Sequence, residues 1–440
     1  MRMDLVVAFA AASSSASADV LPYTTRVETL DNGLRVGLVK FPSPGIVAYY
    51  TLVRTGAREE VEPGHTGFAH LFEHMMFRGS KKFPQDAQEA LVQRLGFDDN
   101  AWTSEDETVY TLYGPSRGLA EIMPREADRF QNLEFSQETL QTETKAVLGE
   151  YNKSIADPPW KMEEAFLAAV FQKHTYGHTV IGYLADIQAM KDKYDYSKKF
   201  FSRFYRPDNC IVFVVGDFDA ERVMADVRKL YRAWGGRAER AAVPEEPPSK
   251  REQDLTLDWP SETQTRLMIG WRTPAGYQAA AAQELLALYL LGPTSRLHKD
   301  LVLDRQVVES LESWTSPHRD PRLFYFVVTL KDAAAAGDVR AAIDAAVEDL
   351  RAGRVDAKLL SDVKSHYRYR ALTAIETPSD LASALARGAS PMGDPDGLER
   401  LLRAAAAVDA KQLADFARAH LSREGRTTLA LRPAAGKAEK

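Results

Sequence analysis

The segment His70-Leu71-Phe72-Glu73-His74 holds the residues best placed to do chemistry. On a helix, positions i and i+4 stack on one face, so both imidazoles point the same way and can share one metal ion. Glu73, at i+3 from His70, shares that face and could take a proton from a water molecule at the ion. Leu71 and Phe72 are expected to face the core and fix the helix. Two histidines do not hold a catalytic zinc alone; a third protein ligand is needed. A helical stretch ending near Glu150 offers it. Glu143 and Glu150 are two helical turns apart and project from one face. Glu150 is expected as the ligand, and Glu143 as a carboxylate that orients a histidine or the water. In isolation, both would read as solvated helix charges. Beside the histidine pair they complete a site for Zn2+ and for metal-assisted hydrolysis, with Glu73 as the base.

These residues need elements to position them. Thr25 to Val39 alternates around Asp31-Asn32-Gly33, a hairpin signal. Ile46 to Leu52 is a β-branched and aromatic run, and Gly67 to Phe77 follows with a helical pattern. Residues 100–113 read as extended, 119–150 and 162–171 as helical. Cys210 to Val215, closed by Gly216-Asp217, reads as a fully buried strand. Residues 235–253 contain Gly235-Gly236, Pro244, Pro247-Pro248 and many charges, which is linker chemistry. The second half then repeats the order of the first. Leu267 to Thr273 resembles Tyr50 to Thr55, each ending in Arg-Thr ahead of an apolar helix. Each half closes on an apolar strand, at 211–215 and 427–431. The expectation is an α+β chain of two homologous αβ domains: a zinc-binding unit at 19–234, a linker at 235–253, and a unit at 254–440 that lacks the metal motif.

The chain has 440 residues, enough for two cores. A net charge of −6 argues against general nucleic-acid binding, which needs a basic face. The single cysteine, Cys210, excludes an internal disulfide and a thiolate zinc site, and is expected to be buried. Residues 1–18 combine Arg2, an apolar run from Leu5 to Ala12 and Ala16-Ser17-Ala18, the pattern of a signal peptide cleaved before Asp19. An exported, periplasmic protein is the expectation. No segment is long and apolar enough for a membrane span.

The stretch Gly64 to Ser80, with His70-Leu71-Phe72-Glu73-His74 at its centre, resembles the inverzincin signature of the pitrilysin-like (M16) zinc metallopeptidases. Glu143 and Glu150 resemble that family's paired downstream glutamates, and Tyr205-Arg206-Pro207-Asp208-Asn209 its end-of-domain signature. Asn100, Ala101, Trp102 and Thr103 resemble its substrate-binding edge strand, which implies pairing with the backbone of an extended peptide. The length is that of the short subfamily related to the mitochondrial processing peptidase. There one chain is half of a clamshell, with mostly antiparallel sheets covered by helices, and two chains enclose a chamber. The resemblance implies an Arg and a Tyr in the second domain. Aligned on Ser295-Arg296-Leu297, those positions hold Val302 and Glu309 instead. The expectation is therefore a metal-bearing subunit of a heterodimer whose partner supplies the pair, a homodimer being possible. A non-catalytic scaffold, or a peptide-binding subunit of the same fold, is the alternative.

Overall fold

A computed structural model describes residues 20–434. The leader expected at 1–18 lies outside the described residues. Two sheets organise the chain. The first is built from β1 (Arg26–Thr29), β2 (Arg35–Lys40), β3 (Ile46–Val53), β4 (Asp98–Thr103), β5 (Thr108–Pro115) and β6 (Cys210–Gly216), in the order β1-β2-β6-β3-β5-β4. The second comprises β7 (Gln253–Trp259), β8 (Arg266–Thr273), β9 (Val308–Glu312), β10 (Arg322–Leu330) and β11 (Arg426–Pro433), in the order β7-β11-β8-β10-β9. Leaving out β1, the two sheets have the same topology. In each, one parallel pair (β2 with β6, β7 with β11) is followed by antiparallel neighbours. The molecule is thus α+β, with two αβ units of matching sheet order.

Helices α1 (Phe68–Met75), α2 (Gln85–Leu95), α3 (Leu119–Asn132), α4 (Gln137–Ser154), α5 (Pro158–Val170), α6 (Leu184–Met190), α7 (Tyr194–Phe204) and α8 (Ala220–Tyr231) belong to the first half. The second contains α9 (Tyr277–Leu291), α10 (Ala336–Arg351), α11 (Ala357–Thr373), α12 (Pro378–Ala389), α13 (Gly397–Ala407) and α14 (Ala410–His420). The helical stretch expected at 119–150 is two helices. The second starts afresh at Ser136, whose Oγ accepts the Thr139 N–H at 3.0 Å. Residues 238–252 carry neither helix nor strand.

Each sheet is buried on both faces, which is why its central strands are almost wholly apolar. Along β6, Cys210, Val212 and Val214 face the first half's own helices. Ile211, Phe213 and Val215 face the other way, onto Leu381, Ala382, Leu385, Ala386 and Ala389 of α12. The second sheet is served reciprocally. Leu267, Ile269 and Trp271 pack on helices of the second half, while Met268, Leu323, Leu429 and Leu431 pack on Met162, Phe166, Leu167 and Val170 of α5. Each half lends one helix to the other. The loop after α12 is fastened by two arginines of the first sheet. Arg54 donates to the Ser390 and Pro391 carbonyls, both at 2.8 Å, and Arg35 to the Gly393 carbonyl.

A polar seam joins the halves beside the β4–β5 turn. Arg322 pairs with Glu105, His318 Nδ1 lies 3.1 Å from Asp106 Oδ2, and Arg319 pairs with Glu59 at 2.8 Å. Asp320 pairs with Arg58 and with His174. Among the described residues, no helix is long and apolar enough to cross a membrane.

Candidate metal centre

The two histidines ride on α1, a helix of only eight residues that needs outside support. Its N-terminus is bound by Glu60, whose two carboxylate oxygens accept the N–H groups of Gly67 and Ala69, each at 2.7 Å. This meets two of the donors a helix start leaves unpaired. Gly67 begins the helix at φ +85°, and a Cβ there would lie 2.4 Å from the Ile181 carbonyl oxygen. Only glycine fits both the angle and the contact. On the core side Leu71 and Phe72 are fully buried, and the Tyr110 hydroxyl donates to the Phe72 carbonyl at 2.9 Å. With that side locked, His70, Glu73 and His74 project from the opposite face.

There α4 brings in Glu150. Its Oε2 lies 3.5 Å from His70 Nε2 and 3.6 Å from His74 Nε2. One ligand atom from each of the three residues falls within 4.8 Å of the others. Glu143, on the same helix, lies behind His74, with Oε2 3.6 Å from Nδ1, and is itself held by Arg78 at 2.8 Å. Glu73 stands beside the trio, its Oε2 accepting from Thr103 Oγ1 at 2.5 Å.

The surroundings favour a cation. Burial, with His74 close by, pulls His70 down to about 4, leaving a neutral imidazole with a free lone pair at pH 7. The buried Nδ1 of His70 has no hydrogen-bond partner. Burial also disfavours charge on His74, but the Glu143, Glu150 and Glu73 carboxylates outweigh it and move that imidazole up. Glu73 moves up chiefly through burial. Two imidazole nitrogens and one carboxylate oxygen, with a further carboxylate alongside and open space in front, are the donor set of a hydrolytic zinc site. The residues therefore fit the ion.

The open space is a cavity of about 370 Å³ lined by His70, Glu73, Trp102, Thr103, Trp160 and Glu163, among others. Asn100, Ala101, Trp102 and Thr103 lie on β4, which forms the free edge of the first sheet. Thr103 turns toward Glu73, whereas the Trp102 ring packs against Tyr50 and Arg387. A second cavity of about 680 Å³ shares Trp160 and Glu163 with the first and extends to Arg266, Glu309, Trp314 and Tyr325 of the second half. Of the positions aligned with the missing pair, Glu309 lines this second cavity and Val302 lies in a π-helical turn at 298–304. Arg305 is spent on Asp300 and Asp338. His174 and His178 are buried, and the His65 ring packs against Tyr196 at a tilt.

Sequence reasoning missed Glu60, Arg78 and the Thr103 hydroxyl. Arg78 follows His74 by one helical turn and could have been found as a partner for Glu143. Nothing local marks Glu60 as the support of a helix that starts several residues later.

Comparison with known proteins gives a consistent picture. A family model described as insulinase (peptidase family M16) matches residues 40–183, and one described as the peptidase M16 inactive domain matches 193–367. A zinc protease, PqqE, of Helicobacter pylori is 26% identical over 81% of this chain and 82% of its own length. The crystal structure of a protease from the same organism superposes with a TM-score of 0.83 at 25% identity, covering 93% of this chain and all of that one. The periplasmic protease PqqL of Escherichia coli superposes with a TM-score of 0.76 at 20% identity; 96% of this chain corresponds to 50% of that protein.

Proposed function

Because the chain belongs to peptidase family M16, we propose that it is a zinc-dependent endopeptidase in which His70, His74 and Glu150 hold the ion and Glu73 is the base. The observation that carries this reading is the convergence of three ligand atoms within 4.8 Å beside an additional carboxylate. Zinc, when bound there, supplies Lewis acidity: it acidifies water and polarises a peptide carbonyl. The protein does the rest. Glu73 takes the proton of the attacking water and returns it to the departing amine nitrogen. Glu143, fixed by Arg78, holds the His74 ring through its Nδ1 side so that Nε2 stays turned to Glu150. The edge at Asn100, Ala101, Trp102 and Thr103 receives the substrate as an added strand, a mode that selects extended peptides over folded ones.

The chain further acts as the metal-bearing subunit of a pair. Val302 and Glu309 stand where a substrate-holding Arg and Tyr would be expected, and PqqL is about twice as long as the region it shares with this chain. A homologous partner, in a heterodimer or a homodimer, would close the chamber. Export to the periplasm accords with the leader pattern and with the likeness to PqqL, a periplasmic protease.

The decisive experiment compares wild type with Glu73→Gln on an unstructured peptide, with and without the product of a neighbouring homologous gene. Hydrolysis should fall by about 10²–10⁴-fold in the variant, the usual share of a general base, while bound zinc stays stoichiometric. Equal turnover by the variant would refute the assignment, and zinc-loaded protein inactive in every combination would leave the scaffold reading.

A further inference from the structure

Glu73 lines a cavity, and the only group donating a hydrogen bond to it among the described residues is the hydroxyl of Thr103. We propose that Thr103 is a positioning residue for the base, acting through its side chain and apart from any part its backbone plays in the β4 edge. This inference rests on the peptidase reading above.

The geometry supports it in three ways. The contact is short, 2.5 Å from Thr103 Oγ1 to Glu73 Oε2, and the hydroxyl donates. It occupies one carboxylate oxygen and leaves Oε1 to receive the proton, so it fixes the side-chain rotamer without using up the basic site.

Next, Thr103 is itself fixed. It is the last residue of β4, and the turn that follows is held tightly. The Ser104 N–H donates to the Glu107 carbonyl at 2.8 Å, and the Arg58 N–H to the Glu105 carbonyl at 2.8 Å. A Cβ on the neighbouring Gly56 would come within 2.3 Å of the Ser104 carbonyl oxygen, so the backbones are in close contact.

Finally, three successive carboxylates of that turn are each gripped by the second half. Arg322 pairs with Glu105. His318 Nδ1 and the Arg319 N–H meet Asp106 at 3.1 Å, and Ser390 Oγ donates to Glu107 at 2.6 Å. A hydroxyl mounted on so constrained a turn is a fixed reference point for the Glu73 carboxylate. It also gives the half without metal ligands a physical route to the reacting centre.

The test uses full-length protein, in whichever form (alone or with its partner) shows wild-type turnover of an internally quenched unstructured peptide. Thr103→Val keeps the β-branched shape and removes only the donor. It should lower kcat by about 10- to 100-fold, the effect of one hydrogen bond to a charged group, with KM, zinc content and melting temperature unchanged. Thr103→Ser, which restores the donor, should recover kcat to within about threefold of wild type. In a Glu73→Gln background, Thr103→Val should leave the dissociation constant for the same peptide unaltered, separating placement of the base from substrate binding. Wild-type kcat in Thr103→Val would overturn the inference, as would a loss that appears in KM or in zinc content, or one that serine fails to rescue. If Glu73→Gln is as active as wild type, or no form of the wild type is active, the peptidase reading fails and takes this inference with it.

Discussion

Glu143 contacts two groups at once, His74 on one side and Arg78 on the other, and the two contacts predict different losses. Glu143→Gln keeps the size but weakens the hold on the His74 ring. Zinc affinity should fall by about 10- to 100-fold, the usual range for a residue that orients a ligand, as measured by competition with a chromophoric chelator. The fold should survive. A drop confined to kcat, with zinc affinity intact, would move Glu143 from orienting residue to participant in the reaction. At this scale the sequence was most legible. His70, Glu73 and His74 are close in the chain, so helical periodicity alone puts them on one face. Glu150 was reachable because its spacing from Glu143 matches two turns of one helix. Glu60 was not, nor was the contact of the Thr103 hydroxyl with Glu73, though Thr103 itself was expected in the substrate-binding edge; each acts across the fold on a residue whose neighbourhood only tertiary packing defines.

The helix bearing the histidines is short, and its start rests on the backbone conformation of Gly67 together with the Glu60 carboxylate that accepts its first N–H groups. Gly67→Ala would force φ +85° on an alanine and drive its Cβ into the Ile181 carbonyl. We expect a loss of more than about 1 kcal/mol in thermal or urea unfolding, with weaker zinc binding because the first turn of α1 shifts. Unchanged zinc affinity in a destabilised Gly67→Ala protein would mean that α1 tolerates displacement at its N-terminus. Alternation in the sequence located β2 and β5, and continuous apolar runs located β3 and β6, since strands buried on both faces are nearly all apolar. They gave no warning of the break between α3 and α4. Leu133 to Ser136 contains neither Gly nor Pro, and the second helix restarts on a serine cap.

Seen whole, the molecule concentrates charge along the seam between its halves. Burial alone would raise the Glu105 carboxyl, but the Arg322 guanidinium and His318 outweigh it and hold it at about 2. The folded value lies below the ordinary value of ~4.3, so the pair's contribution to stability is complete above that pH and is lost as pH falls towards 2. Acid unfolding of the wild type should steepen across this window. Glu105→Gln should be less stable at neutral pH, with a flatter acid limb. An identical acid limb in the variant would place the sensitivity elsewhere. Neither this seam nor the lending of α5 and α12 could be read from the sequence, because both depend on contacts between residues about a hundred or more positions apart. That lending also bears on how the chain would respond to being cut. Residues 238–252 have no secondary structure, yet each side of them supplies a lid for the other side's sheet. Fragments divided there should precipitate when made singly and reassemble when made together, surviving gel filtration as one particle. The backbone connection would then be dispensable once folding is complete, and the interlock itself would hold the two pieces together.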